Sequence, residues 1–288
     1  MPGRSTSRYG LSAGISLATA VADAGLYVFS TADARRHAPA DVPAGQVPYL
    51  LKLLADAGWL IRLRRDLYAG TGRLPGGVDV PPFAIATSLV APSAISHWSA
   101  LAHHGLTDQV PVVVTATTTR AVVTPRMRAP HSAREPAGIW RVAGIDCHYV
   151  TVVPGRYFGI EQVWLDQRFR VPITDRERTV LDLFAMPRLF GGISEGLAVL
   201  ERAVDELDLE RLVAQALRYD SVAAAKRLGW GLERAGVETP VLAPLLDLPA
   251  SSYSPLDPGR ARRGGYERRW MIIDNLTATG ARHPSSCA

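Results

Sequence analysis

Lysine is almost absent: Lys52 and Lys226 are the only two among 32 basic residues, and the other 30 are arginine. Together with the many alanines this reads as the coding bias of a GC-rich genome, so arginine content alone carries no functional message. Cysteine is equally scarce. Cys147 and Cys287 provide no disulfide framework, and a reducing cytoplasm is expected. No uninterrupted apolar stretch reaches the roughly 18 residues of a membrane span. The mildly apolar start is interrupted by Ser16, Thr19 and Asp23 and is rich in alanine rather than leucine, which argues against a secretory signal. A glycine-rich phosphate loop, a GxSxG elbow and a paired Cys/His nucleophile are all missing, so neither catalysis nor a cofactor is expected. His97, His103, His104, Cys147 and His148 match no compact zinc spacing, and no metal site is expected.

What is present is enough apolar sequence for two cores. Of 288 residues 47% are hydrophobic and 20% charged, which excludes disorder, and domains run to roughly 100–200 residues. The net charge of +5 is unevenly spread. Residues 1–82 hold 9 Arg/Lys against 6 Asp/Glu, residues 249–288 hold 6 against 3, and the middle is close to neutral. A neutral body with basic ends permits an anionic partner.

Residues 12–24 place Ile15, Leu17, Ala18, Val21 and Ala22 on one helical face, ended by Gly25. A short apolar strand, Leu26 to Phe29, precedes a helix with Ser30 or Thr31 as N-cap and Asp33 in its first turn. A third helix buries Leu50, Leu51, Leu54 and Ala57 and stops at Gly58. "GWLIRLRRDLYAG" then predicts a hairpin, with Trp59, Ile61 and Leu63 on one face, Leu60 and Arg62 on the other, and Arg64 to Asp66 as the turn. Three helices followed by a hairpin predict a winged helix-turn-helix over 12–70, behind a flexible basic arm at 1–11 and ahead of a Gly/Pro linker at 71–82. Residues 83–276 predict a mixed domain: helical text broken at Pro92 and ended at Gly105, a β-rich stretch, then a C-terminal helical bundle. In "TDRE" Thr174 is the expected N-cap with Glu177 three residues on, Asp208 and Ser221 cap later helices, and Gly236 ends the last. "WMIIDNL" adds an edge strand, and residues 277–288 form a disordered tail. The fold class is α+β.

A winged helix lays its third helix in the major groove. Gln46, Tyr49 and Lys52 occupy the solvent side of that helix, where Gln46 can read an adenine edge and Lys52 a phosphate or guanine. Arg62, Arg64 and Arg65 of the wing and Arg35 and Arg36 of the second helix would neutralise phosphates. Arg260, Arg262, Arg263, Arg268 and Arg269 make a second candidate basic surface. Arg178 and Asp182, four apart on one helix, are read as an ion pair worth a few tenths of a kcal/mol.

"ITDRERTVLDLFAMPRLFGG", continued through "AKRLGWGLERAG", resembles the C-terminal domain of the AbiEi antitoxin family. The likeness rests on Glu177, Arg178, Thr179, Leu181, Asp182, Pro187, Gly191, Gly192, Arg227, Leu228 and Gly229. "SHWSALAHHGL" is similar to a family helix at Ser99, Ala100, Leu101, His104, Gly105 and Leu106, and "GWLIRLRRDLYAG" to the end of its winged helix. One departure is Asp66, where a glycine is expected before the Leu–Tyr pair. The resemblance implies an antitoxin and autorepressor of a type IV toxin–antitoxin operon linked to phage defence by abortive infection. Its winged helix would bind double-stranded promoter DNA at inverted repeats, and its C-terminal domain would neutralise a nucleotidyltransferase-like toxin without a stable complex. It would be monomeric in solution and cooperative on DNA. The rival readings are a ligand-responsive winged-helix transcription factor with an α+β effector domain, and an enzyme modifying nucleic acid or protein.

Overall fold

The computed structural model describes residues 5–124 and 139–276. Residues 1–4 of the expected arm, the expected tail at 277–288 and Cys287 lie outside the described residues. The first helix, α1 (Ser5–Asp23), starts ahead of residue 12 and takes in the rest of the expected arm. It is followed by β1 (Val28–Ser30), α2 (Thr31–Arg36), α3 (Val47–Asp56), β2 (Leu60–Arg64) and β3 (Leu67–Gly70). Leu17, Ala18 and Val21 of α1, Ala34 of α2 and Leu50, Leu51 and Leu54 of α3 share one core with Phe29, Leu60 and Tyr68. Ser30 is the N-cap of α2: its hydroxyl accepts from the Asp33 N–H while the Asp33 carboxylate accepts from the Ser30 N–H. That backbone hydrogen bond, helped by the Ser30 hydroxyl, holds the Asp33 carboxyl below its ordinary value. At the end of α3 Gly58 is left-handed at φ 75°, and the N–H groups of Gly58 and Trp59 return to the carbonyls of Ala55 and Leu54.

These strands form an antiparallel sheet in the order β1-β3-β2. Strict alternation along β2 does not hold. A bulge between Arg62 and Arg64 buries Leu60 and Leu63, three apart, and leaves Trp59 and Ile61 half-buried. The extra residue of a bulge shifts the phase of the side chains, which a period-two reading cannot anticipate.

The text expected as one broken helix is α4 (Pro82–Leu89), a strand β4 (Ser93–Ile95) and α5 (His97–His103). A three-residue strand after a proline has too little length for a period of its own. With β5 (Val113–Thr118), β6 (Ile139–Val142), β7 (Ile145–Thr151), β8 (Ile160–Trp164) and β9 (Arg170–Thr174), it makes a six-stranded mixed sheet, β6-β7-β5-β4-β9-β8. β4 runs antiparallel to β5 and parallel to β9, and β5 runs parallel to β7.

Packing divides the chain into two compact units, and not at the linker expected over 71–82. The first holds residues 1–95, 112–152 and 162–173; the second holds 96–111, 153–161 and 174–288. Within the first unit α4 packs on β1 and β2 as well as on β4 and β5, and the rings of Tyr27 and Phe169 lie 5.2 Å apart. Those contacts tie the N-terminal helices to the sheet, and no local signal in residues 71–82 reports them.

The second unit is built on α6 (Arg176–Ala185), packed by α5, α7 (Ile193–Ala203), α8 (Leu209–Arg218) and α9 (Val222–Arg234). A further helix, α10 (Thr239–Leu246), carries Pro244 inside it and was masked in the sequence by its two prolines. The N-cap of α6 is Asp175 rather than Thr174: its carboxylate accepts the Arg178 N–H at 2.7 Å, while the Thr174 hydroxyl lies 2.8 Å from that of Thr179. Arg211 and Gln215 of α8 also donate to Asp175, and Glu177 accepts the N–H of Asp208, the N-cap of α8.

Arg178 and Asp182 are both fully buried, so the value of an exposed helical pair does not apply to them. Arg178 Nε donates to Asp182 at 2.9 Å, and Nη1 donates to the carbonyls of Arg156 and Phe158 at 2.7 and 2.9 Å. Its guanidinium also faces the rings of Phe158 and Tyr219. Sequence spacing sets the pairing but is silent on burial.

The segment after residue 249 is ordered by packing rather than by periodicity. β10 (Ser254–Pro255), β11 (Gly265–Glu267) and β12 (Ile272–Asp274) form a small sheet in which β12 is central, not an edge. Trp270 is fully buried against α9 at Gly229, where an added Cβ would lie 2.2 Å from the indole. Arg227 Nε donates to the Pro255 carbonyl at 3.0 Å, and Leu228 is in the core. Gly192, at φ 130°, leaves room for the buried Asp257 carboxylate, and Gly191 at φ 78° closes the turn before it.

Gly229→Ala is expected to lower stability by about 1–3 kcal/mol through overpacking against Trp270, read as a lower urea midpoint. Asp182→Ala is expected to cost about 3–5 kcal/mol, because it strands the buried Arg178 charge. A loss under about 1 kcal/mol would mean that the guanidinium is hydrated.

Candidate nucleic-acid interface

The short α2, a ten-residue connection and α3 put the polar side of α3 outward. Gln46 is its N-cap, though its side chain makes no cap bond. Tyr49, 59% exposed, and Lys52 follow at spacings of three, so the three residues share one face. The opposite face is the buried stripe of Val47, Leu50, Leu51 and Leu54. Lys52 is not a free cation: its ammonium donates to Asp56 at 2.6 Å, and that bond raises its pKa. Arg36 is tied at the surface to Asp33, 3.5 Å away, whereas Arg35 is exposed with no ion pair among the described residues.

On the hairpin Arg62, Arg64 and Arg65 are all exposed and make no ion pair among the described residues. The turn between β2 and β3 is closed by Asp66 at φ 61°, the left-handed region in which aspartate is one of the few tolerated replacements for glycine. Its Oδ1 accepts the N–H of Thr31, the first residue of α2, at 3.3 Å. The departure from the expected glycine therefore links the hairpin tip to the start of the second helix. Also unforeseen is Arg120, which follows β5 and lines one cleft with Arg64 and Arg65. More than fifty residues separate it from them in the chain, and nothing in its neighbourhood marks it.

The second basic stretch is largely engaged within its own unit. Arg260 lies 3.5 Å from Asp257, Arg262 donates to the Tyr253 carbonyl, and Arg269 contacts Glu233 and Thr239. Arg263 and Arg268 are exposed without such contacts among the described residues. Three of the five, Arg260, Arg262 and Arg269, therefore fasten the terminal segment.

The histidines and Cys147 are dispersed. His97 is buried, with Nδ1 2.7 Å from the Ser96 hydroxyl and its ring stacked on Phe190. His104 Nε2 donates to the Thr174 carbonyl at 2.7 Å, joining the end of α5 to the start of α6. Cys147 is in the core of the sheet, where burial pushes its thiol up to about 12; burial lowers His103 and His148. Among the described residues no group of three or more His, Cys, Asp or Glu side chains is placed to hold a metal. No described helix is long and apolar enough to cross a membrane.

No family model matches the chain, and no curated protein matches it. Among solved structures it is similar to the crystal structure of RV2827C protein from Mycobacterium tuberculosis, with a TM-score of 0.60 and 15% identity over 90% of this chain and 92% of that chain. At that identity the likeness is one of fold, and the chain is a mixed α+β protein.

Proposed function

We propose that residues 12–70 act as a winged helix-turn-helix on double-stranded promoter DNA, and that the chain is an AbiEi-like antitoxin and autorepressor of a type IV toxin–antitoxin operon. The observation that carries the DNA half is the set of exposed arginines, without ion pairs among the described residues, on the hairpin that follows α3, whose outward face is polar and whose Lys52 feels the charge of Arg62. α3 enters the major groove with Gln46 and Tyr49 toward base edges, Lys52 exchanges Asp56 for a phosphate, and Arg62, Arg64 and Arg65 follow the backbone. The antitoxin half rests on the resemblance of residues 177–229 alone. In this reading the protein works by binding and is not an enzyme, and the toxin is a functional partner without a stable complex. The rival reading, a ligand-responsive transcription factor, draws on the arginine-lined cleft beside the hairpin.

The DNA reading is tested by mobility shift with the DNA upstream of the protein's own coding sequence, across a salt series. Replacing Arg64 and Arg65 together by alanine should weaken binding to all sequences and reduce the log–log salt slope by roughly 0.9 for each lost phosphate contact. An unchanged slope removes the hairpin from the interface. Asp66→Gly should keep the turn but lose the tie to Thr31, weakening DNA binding by less than the arginine pair does; Asp66→Val, strained at φ 61°, should weaken it more. Co-expression of the full chain with a nucleotidyltransferase-like toxin encoded beside it should restore growth, and failure to do so refutes the antitoxin half.

A further inference from the structure

Between the hairpin tip and the edge of the six-stranded sheet, wholly within the first unit, lies a cleft of about 640 Å³. Arg64 and Arg65 line it from the hairpin, Arg120 from the end of β5, and Trp140 from β6, with Val90 and Val123 among its apolar wall. Among the described residues no acidic side chain lines it and none of the three guanidinium groups is in an ion pair. The Arg120 backbone is held in place: its N–H donates to the Thr118 hydroxyl, and its carbonyl accepts from Thr151. Trp140 is half-buried, and its indole makes no ring contact among the described residues.

Three like charges line one cleft with no counter-ion among the described residues, together with an indole and an apolar wall. Guanidinium groups match phosphate oxygens in a bidentate fork, and an indole face takes a planar base. A duplex backbone satisfies the arginines but leaves the apolar wall unfilled, since it presents sugar and phosphate rather than a base. The volume lies within the roughly 300–1,000 Å³ of small-ligand sites. We propose that the cleft binds a nucleoside di- or triphosphate, with its base on Trp140 and its phosphates on Arg64, Arg65 and Arg120. Two of these arginines belong to the hairpin, so a bound nucleotide competes with DNA; that consequence rests on the DNA-binding reading above.

The test uses full-length protein and the fluorescent N-methylanthraniloyl derivatives of ATP and GTP, followed by anisotropy. Saturable binding is expected, weakened at least tenfold by Arg120→Ala and by Trp140→Ala, weakened less by Arg120→Lys, which keeps the charge but loses the fork, and largely kept by Trp140→Phe. Absence of binding overturns the proposal, as does tripolyphosphate displacing the probe with the nucleotide's own affinity, which would leave the base without a role. Loss of DNA affinity in Arg120→Ala with no nucleotide bound assigns the cleft to the DNA backbone instead. In the second arm, saturating nucleotide should raise the promoter dissociation constant at least tenfold. Nucleotide binding without that rise refutes the competition. A protein that binds nucleotide but never binds promoter DNA refutes the DNA reading while the cleft assignment stands.

Discussion

The second unit depends on one guanidinium. Arg178 reaches out of α6 to the carbonyls of Arg156 and Phe158, to Asp182 one turn along, and to two aromatic rings, all away from water. A buried ion pair gains little over a well-packed apolar pair of the same volume, because desolvation offsets most of the attraction. What it adds is direction. An apolar side chain tolerates sliding, whereas a planar guanidinium whose Nη1 donates to two particular carbonyls accepts one position of residues 156–158 against α6. Asp175 and Glu177 do the same for the start of α8. Three charged residues in one turn of helix therefore set the register of their neighbours, and the surrounding leucines fill the space that register defines.

Much of the N-terminal half was legible because its signals are local. The helix stripe of α1, the Leu50, Leu51 and Leu54 stripe of α3, the Ser30–Asp33 cap and the glycine stops at Gly25 and Gly58 act over four or five residues and are found in the structure, whereas Ala57, expected to be buried, is the exposed C-cap of α3. The features that escaped are set by partners distant in sequence. The bulge after Arg62 needs β3 beside it, β4 needs β5 and β9, and the central place of β12 needs β10 and β11. Thr174 and Asp175 are both competent caps, and the choice between them is made by Arg211 and Gln215, more than thirty residues away. On the candidate interface the outward positions of Gln46, Tyr49 and Lys52 were readable from the helix period, and those of the hairpin arginines from their charge rather than from the strand period, which the bulge breaks. The Lys52–Asp56 pair and the arrival of Arg120 were not weighed or not visible.

The residues that carry the AbiEi resemblance in 177–229 are nearly all structural. Gly229 admits Trp270, Gly192 admits Asp257, and Arg227 fastens the terminal segment. Such a motif reports how a unit is packed. The surface side chains that would contact a partner are free of those packing demands, and so a shared motif of this kind leaves partner choice to residues outside it.

The two units are interleaved along the chain, which passes between them at 95/96, 111/112, 152/153, 161/162 and 173/174. During synthesis the first unit is therefore incomplete until residue 173 has left the ribosome, although its three helices and hairpin are finished by residue 70. By then residues 96–111 and 153–161 of the second unit are already in the same nascent chain. Neither unit can be gained, lost or exchanged by a single crossover between genes, so whatever each contributes has to be inherited with the other.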